Sequence, residues 1–294
     1  MRLIDCYRDL LKLYNFMNLR LDKLQVFDSH CHPQFPQYDQ DREKMLARAF
    51  GAGVSMVCVG TDLEMSRKAV ELAAKYEKIR ASVGLHPNDF GELFEADKIS
   101  PEKTDAFLHL ANHERVVAMG EMGLDYYRTP DKEHQKKQKE IFEFFINLAY
   151  QSKKPLIIHG RDSQTGSSGR AHGDIIEILN FAKNIIYGGV AHSFTGSIDE
   201  AKRYLDLGFC LGFNGIITFA RQYDEVVKYV PLENILIETD APYLTPEPYR
   251  NQRNEPIYVI EVAKKIATLK NISIDEVIEK TTKNCKNLFN IYEI

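Results

Sequence analysis

Strand-like and helical patterns alternate along this chain, and that alternation limits its fold more than any other feature. Eight short β-branched or apolar runs read as strands: 26–32, 55–61, 80–86, 116–123, 155–161, 185–193, 209–215 and 235–241. Between them lie segments of mixed charge and helical apolar spacing, among them 41–50, 64–77, 132–153, 198–207 and 219–229. Strands separated by helices imply parallel pairing. Eight such units in 294 residues favour one closed TIM-type (β/α)8 barrel over an open doubly wound sheet, since such barrels need about 250 residues. A single barrel domain is therefore expected over 26–294. Residues 1–25 precede it as an extension, read either as an amphipathic helix carrying Leu10, Leu11, Leu13, Tyr14 and Met17 or as irregular chain before a start at Met17. The segment 256–294 reads as two helices, with Ser273 and Glu276 spaced as a capping box. Residues 162–173, rich in Gly and Ser, read as a flexible loop after the fifth strand.

Bulk properties remove several function classes. The formal net charge of -4 offers no global field for a polyanion. A nucleic acid would need a local site, with bound cations supplying positive charge. Five scattered cysteines without CxxC spacing argue against a disulfide framework and for a reducing cytoplasm. No apolar run reaches the roughly 20 residues of a membrane span.

The chemistry concentrates at strand ends. Alternation along the first strand places Asp28, His30 and His32 on one face, and Ser29 and Cys31 on the other. Two imidazoles at i and i+2 can chelate a metal; alone, they read equally well as hydrogen-bonded histidines. Glu121, His159, His192 and Asp240 then end the fourth, fifth, sixth and eighth strands. In a barrel those ends converge on the face that carries the active site. Buried ionisable groups are costly unless paired or metal-bound, so six of them together predict a metal cluster. Four imidazoles and two carboxylates suit Zn, Mn, Fe, Ni or, through oxygen, Mg. Glu121 is central enough to bridge two cations, and Asp240 can both ligate and accept a proton from an attacking water. His86 ends the third strand as a substrate contact, a ligand or a structural histidine. Arg161 and Asp162 follow His159, and Asp125 can orient a ligand. Arg253 is either a phosphate contact or a surface arginine paired with Glu247 or Glu255. His109, His113, His134 and His172 fall in helical or loop sequence, away from the cluster.

The ordered motifs FDSHCH, VGLHP, GEMGLDYY, IIHGRDS, AHSFTGS and ETDAPYLTP followed by RNEP resemble the TatD family of metal-dependent deoxyribonucleases, amidohydrolase-like barrels. The resemblance runs from about Val26 to the C-terminus. It implies that His30, His32 and Asp240 bind one metal, that His159 and His192 bind a second, and that Glu121 bridges them. It also implies two divalent ions, Mg or Mn in function, and a nuclease acting from the three-prime end of single-stranded DNA or at DNA ends. Catalytic roles then fall to Asp240 and Glu121, and substrate contacts to His86, Arg161 and Arg253. A cytoplasmic monomer is expected. The chain departs from the pattern in its N-terminal extension, its long 163–173 loop and Ser193, where Cys is common. A small amide, lactone or aminoacyl ester is the alternative substrate class, and a non-catalytic metal- or nucleic-acid-binding barrel the reading outside enzymes.

Overall fold

The computed structural model describes residues 25–89, 91, 94–95, 98–129, 131–163 and 170–292. Eight parallel strands form one sheet in chain order: β1 (Val26–Cys31), β2 (Val54–Val59), β3 (Ile79–Val83), β4 (Val116–Asp125), β5 (Leu156–Arg161), β6 (Gly189–Ala191), β7 (Cys210–Phe213) and β8 (Ile235–Ile237). Past the end of β8 the chain bonds back to β1: Asp240 N–H donates to His30 O (2.9 Å) and His32 N–H to Ala241 O (2.8 Å). These bonds bring the two sheet edges together as a nearly closed TIM barrel. Helices fill each crossover: α1 (Arg42–Gly51), α2 (Leu63–Lys75), α3 (Pro101–Ala111), α4 (Lys132–Ser152), α5 (Ala171–Ala182), α6 (Ile198–Asp206) and α7 (Asp224–Tyr229). Two more, α8 (Val259–Lys270) and α9 (Ile274–Leu288), follow β8. A two-stranded antiparallel ribbon, Phe94–Glu95 with Lys98–Ile99, lies in the β3–α3 connection.

Local chemistry explains where helices start. Asp62, Ser100 and Asp131 each accept a backbone N–H in the first turn of α2, α3 and α4, and Pro101 opens α3 where no N–H is needed. Ser197 and Glu200 make a complete capping box on α6. At α9 the Ser273 side chain accepts from Glu276 N–H, one half of the box expected there.

The apolar interior divides in two. One cluster joins strand residues to the surrounding helices, including Val26, Cys31, Met119, Met122, Leu156 and Ile158. The other lies inside the barrel and is built from Phe27, Val57, Val59, Val117, Ala118, Ile157, Val190 and Leu236, with Cys285, Phe289 and Ile291 closing the floor. The division exposes a feature that simple alternation misses. Phe27 and His30, three apart, both face inward. The β1–β2 register runs Asp28↔Met56 and then Cys31↔Cys58, so β1 carries one extra residue. A second such bulge in β4, between Met119 and Met122, contains Glu121. Bulges re-aim side chains next to active sites. The bulge also separates Asp28 from the histidines it was expected to join: its carboxylate accepts from His30 N–H, Thr239 N–H and Thr239 Oγ1 (3.2, 3.0 and 2.6 Å) and ties β1 to the β8 exit.

Several boundaries differ from expectation. The sixth strand begins only at Gly189, because Lys183–Ile185 forms a 3-10 turn and Gly188 takes φ +81°. The third stops at Val83, and 219–229 is helical only from Arg221, first as a 3-10 turn and then as α7. The last residues of the expected 162–173 loop are the first turn of α5, whose His172 is buried against the Tyr204 hydroxyl at 3.2 Å. The N-terminal segment 1–24 and loop residues 164–169 lie outside the described residues.

Candidate metal centre

The structure brings all six expected residues to the C-terminal mouth of the barrel. His30 and His32 present Nε2 atoms 3.2 Å apart. Asp240 Oδ1 stands 3.7 and 3.5 Å from those two nitrogens. Glu121 lies between two groups of histidines and divides its oxygens. Oε2 faces His30 Nε2 (3.4 Å) and His32 Nε2 (3.9 Å), whereas Oε1 faces His159 Nδ1 (2.7 Å) and His192 Nε2 (2.8 Å). His30 and His192 stack at 3.8 Å across the middle.

Backbone geometry makes this convergence possible. Gly123 (φ +144°) runs so close to β5 that an added Cβ would meet His159 O at 2.0 Å. That close approach of β4 to β5 lets Glu121 Oε1 and His159 Nδ1 meet at 2.7 Å. Asp240 sits in the left-handed region (φ +55°), which Asp tolerates better than most residues. Asn254 supports that turn by donating to Thr239 O (2.9 Å) and Tyr243 O (2.5 Å).

Polar groups stand behind three of the imidazoles. His32 Nδ1 meets Val59 O at 2.9 Å. His159 Nε2 lies 3.4 Å from Asp125 Oδ2, and His192 Nδ1 lies 3.4 Å from Glu238 Oε1. The latter two approaches are too poorly aligned to be hydrogen bonds, and His30 Nδ1 also lacks one. Glu238 is fully buried and accepts from Ser193 N–H at 2.6 Å. Sequence reasoning overlooked Glu238, although it stands two residues before Asp240 in Glu-Thr-Asp and the same alternation could have found it.

The electrostatics fit a cation site. Burial works against ionised Glu121, yet His192, His86 and His159 hold its carboxyl well below the usual range. Asp240 is likewise held low against burial by His32, His30 and His192. Burial opposes protonation of His192, but Glu121 raises its imidazole well above the ordinary value. His30 is lowered by burial and by His192. Ionised carboxylates thus face crowded ring nitrogens, and the positive charge they demand can be supplied by protons or by cations. Cation binding displaces such protons. Donor atoms within 4.8 Å of one another group as His30–His32–Glu121, His30–His192–Asp240 and Glu121–His159–His192, all able to hold an ion. A further group, His86–Asp125–His159, adjoins them.

The remaining candidates divide. His86 Nε2 points at Glu121 Oε1 from 3.7 Å, and its Nδ1 accepts from Asn88 N–H. Asp125, expected to orient a ligand, stands behind His159. Arg161 lies over the Tyr127 ring, its Cζ 3.8 Å from the centroid. Asp162 accepts from His172 N–H at 3.1 Å and faces Arg170. Arg253 is occupied by Asp41, with two contacts of 2.8 and 2.7 Å, and lies 3.5 Å from Glu255.

Comparisons with known proteins agree with this geometry. The sequence model of a family described as "TatD related DNase" matches residues 27–290. An uncharacterized metal-dependent hydrolase of Bacillus subtilis, YabD, is 41% identical over 269 residues, covering 90% of this chain and 99% of that protein. A Salmonella typhimurium protein named 3'-5' ssDNA/RNA exonuclease TatD is 32% identical, covering 90% and 99%. Among solved structures, the Escherichia coli TatD homologue YJJV superposes with a TM-score of 0.78 at 29% identity, covering 90% and 98%. No described helix is long and apolar enough to cross a membrane. Barrel, clustered donors and relatives aligned along nine-tenths of the chain together assign this protein to the TatD-related DNase family, as a metal-dependent hydrolase.

Proposed function

We propose that this protein is a deoxyribonuclease that uses two divalent ions, Mg or Mn, to hydrolyse phosphodiester bonds from the three-prime end of single-stranded DNA. The observation that carries the reading is the divided Glu121 carboxylate, with one oxygen turned to each group of histidines. His30, His32, Asp240 and Glu121 Oε2 would hold one ion, and His159, His192 and Glu121 Oε1 the other. Such a pair supplies Lewis acidity to the phosphate oxygens and lowers the pKa of a coordinated water. The nuclease name of the Salmonella relative supports phosphorus as the centre attacked.

The chain's own groups then have distinct tasks. Asp240 is the ligand-type carboxylate that opens most to the mouth, 15% exposed against 4% for Glu121. Held ionised, it can accept the proton of the attacking water. His86 keeps Nδ1 as an acceptor for Asn88 N–H, so the neutral ring carries its proton on Nε2, which faces the centre. Burial, against the pull of Glu121, lowers its pKa to about 4, and the neutral ring can donate to a phosphate oxygen. Arg161 is the second phosphate contact. Arg253 would first have to leave Asp41 to act as a third.

Protein reconstituted with Mg or Mn should shorten end-labelled single-stranded DNA from the three-prime end, and Glu121→Ala should abolish the ladder. Equal cleavage by both proteins would identify a contaminant and sink the reading. Hydrolysis of a lactone, amide or aminoacyl ester without DNA cleavage would move the same centre to carbon.

A further inference from the structure

Chemistry at phosphorus leaves the aromatic rim of the centre unused. Tyr127 follows the end of β4 by two residues and is 41% exposed. Arg161 closes β5, two residues beyond His159, so alternation turns both to the same side. The two rim residues are fixed to one rung of the sheet. Asp125 and Arg161 are register partners, and Tyr126 N–H donates to Arg161 O at 2.8 Å. Asp125 in turn stands 3.4 Å from His159. The Tyr127–Arg161 pair therefore begins one side chain away from the candidate ligands. On the opposite side, Tyr243 is 49% exposed and its N–H donates to Asp240 O at 2.9 Å. Its ring meets Phe35 at 6.4 Å, and Phe35 stacks on His32 at 4.4 Å. Exposed rings thus flank the centre on both sides.

Charge beside the candidate ligands is what this rim adds. Arg42, Arg48, Arg170 and Arg253 each pair with a carboxylate. Arg161 pairs with no carboxylate among the described residues and lies along the face of Tyr127, as Arg250 lies over Phe219. In a chain of net charge -4, a guanidinium without a carboxylate, held on an open ring beside a cation-type cluster, is suited to a ligand carrying both a flat face and a negative charge. Nucleic acid strands offer both in every nucleotide.

Resting on the nuclease reading above, we propose that Tyr127 and Arg161 form a nucleobase-stacking ledge. A base beside the scissile phosphate stacks on Tyr127, while Arg161 holds the adjoining phosphate. Every base has a π-face, so such a ledge tolerates all sequences. In a duplex both faces of an interior base are covered by neighbours, so the ledge admits unpaired strands and frayed ends. Tyr127 is then a specificity residue that selects strand state rather than sequence.

The test pairs protein variants with abasic substrates. Binding of fluorescent phosphorothioate-linked oligothymidylate to metal-loaded protein is followed by anisotropy, and cleavage of the ordinary strand is followed separately. Strands carry one abasic nucleotide at each of the positions near the three-prime end. Tyr127→Ala should weaken binding about 10-fold, the order expected for one base–aromatic stack, and Tyr127→Phe should restore it. One abasic position should cost the unaltered protein the same factor and cost Tyr127→Ala nothing further, because both changes remove one contact. Tyr150→Ala, an exposed ring on α4, is the control and should bind like the unaltered protein. Penalties that multiply at every position would overturn the ledge. Coupled binding without cleavage would uphold the ledge and overturn the nuclease. Cleavage without coupling would do the reverse, and a protein that neither binds nor cleaves would remove both.

Discussion

The two ends of the barrel's strands are made from the same chain and follow opposite rules. At the floor, Phe27, Val57, Val117, Ile157, Val190 and Leu236 meet Phe289 and Ile291 in an apolar cluster. At the mouth, a few residues further along the same strands, His30, Glu121, His159 and His192 crowd within hydrogen-bonding distance. Floor packing does not depend on pH or metal supply, since apolar burial needs no partner of a given charge. The mouth is favourable only when positive charge balances its carboxylates, so its stability depends on proton and metal supply. Floor changes should therefore act on folding alone, and mouth changes on the link between folding and metal.

The largest effect should come from the floor. Phe289→Ala should cost about 3–5 kcal/mol of unfolding free energy, equally with and without added metal. A loss that appears only in the metal-loaded protein would break the contrast. Next is the mouth at its centre. Metal at about 100 times the dissociation constant of one site should stabilise the unaltered protein by about 2.7 kcal/mol through that site, and Glu121→Ala should erase that increment in denaturant titrations. Retention of the full increment would remove Glu121 from both ion sites. The smallest change lies behind the ligands. Glu238→Gln keeps the shape but withdraws the charge facing His192, and should weaken metal affinity by roughly 10–100-fold. Isothermal titration resolving two binding events should place that loss mainly at the His159–His192 event, and an equal loss at both would blur the proposed partition. Lowering pH should release metal in every variant that binds it, because protons compete for the same imidazoles.

Legibility in the sequence followed the same division. Strand positions were readable because apolar runs and strand-end histidines repeat at barrel spacing. The six clustered residues were readable because one ionisable group at a strand end is ordinary, whereas six converging on one barrel face are not. What was hidden depended on register. Nothing in Val-Phe-Asp-Ser-His-Cys announces an extra residue in the β1 ladder, so Asp28 was grouped with histidines it does not join. The start of α5 was hidden because Arg-Ala-His-Gly looks like loop, whereas the buried His172 earns its helical place through Tyr204, distant in sequence. The partner of Arg253 was hidden for a similar reason: Asp41 lies 212 positions away. Local composition carries such long-range choices poorly, as burial and pairing decide them.

The barrel floor also sets a schedule for folding. Thr282 Oγ1 donates to Gln25 O across 257 positions, and Phe289 closes on Phe27. While a ribosome is still making α9, the apolar interior of the first strands has no cover. Contacts of such separation come late in folding. Completion is thus expected only after synthesis has passed Ile291, and nascent chains stalled before Cys285 should stay sensitive to protease. For this enzyme α9 and the residues just after it, remote from every catalytic candidate, decide when there is an enzyme at all.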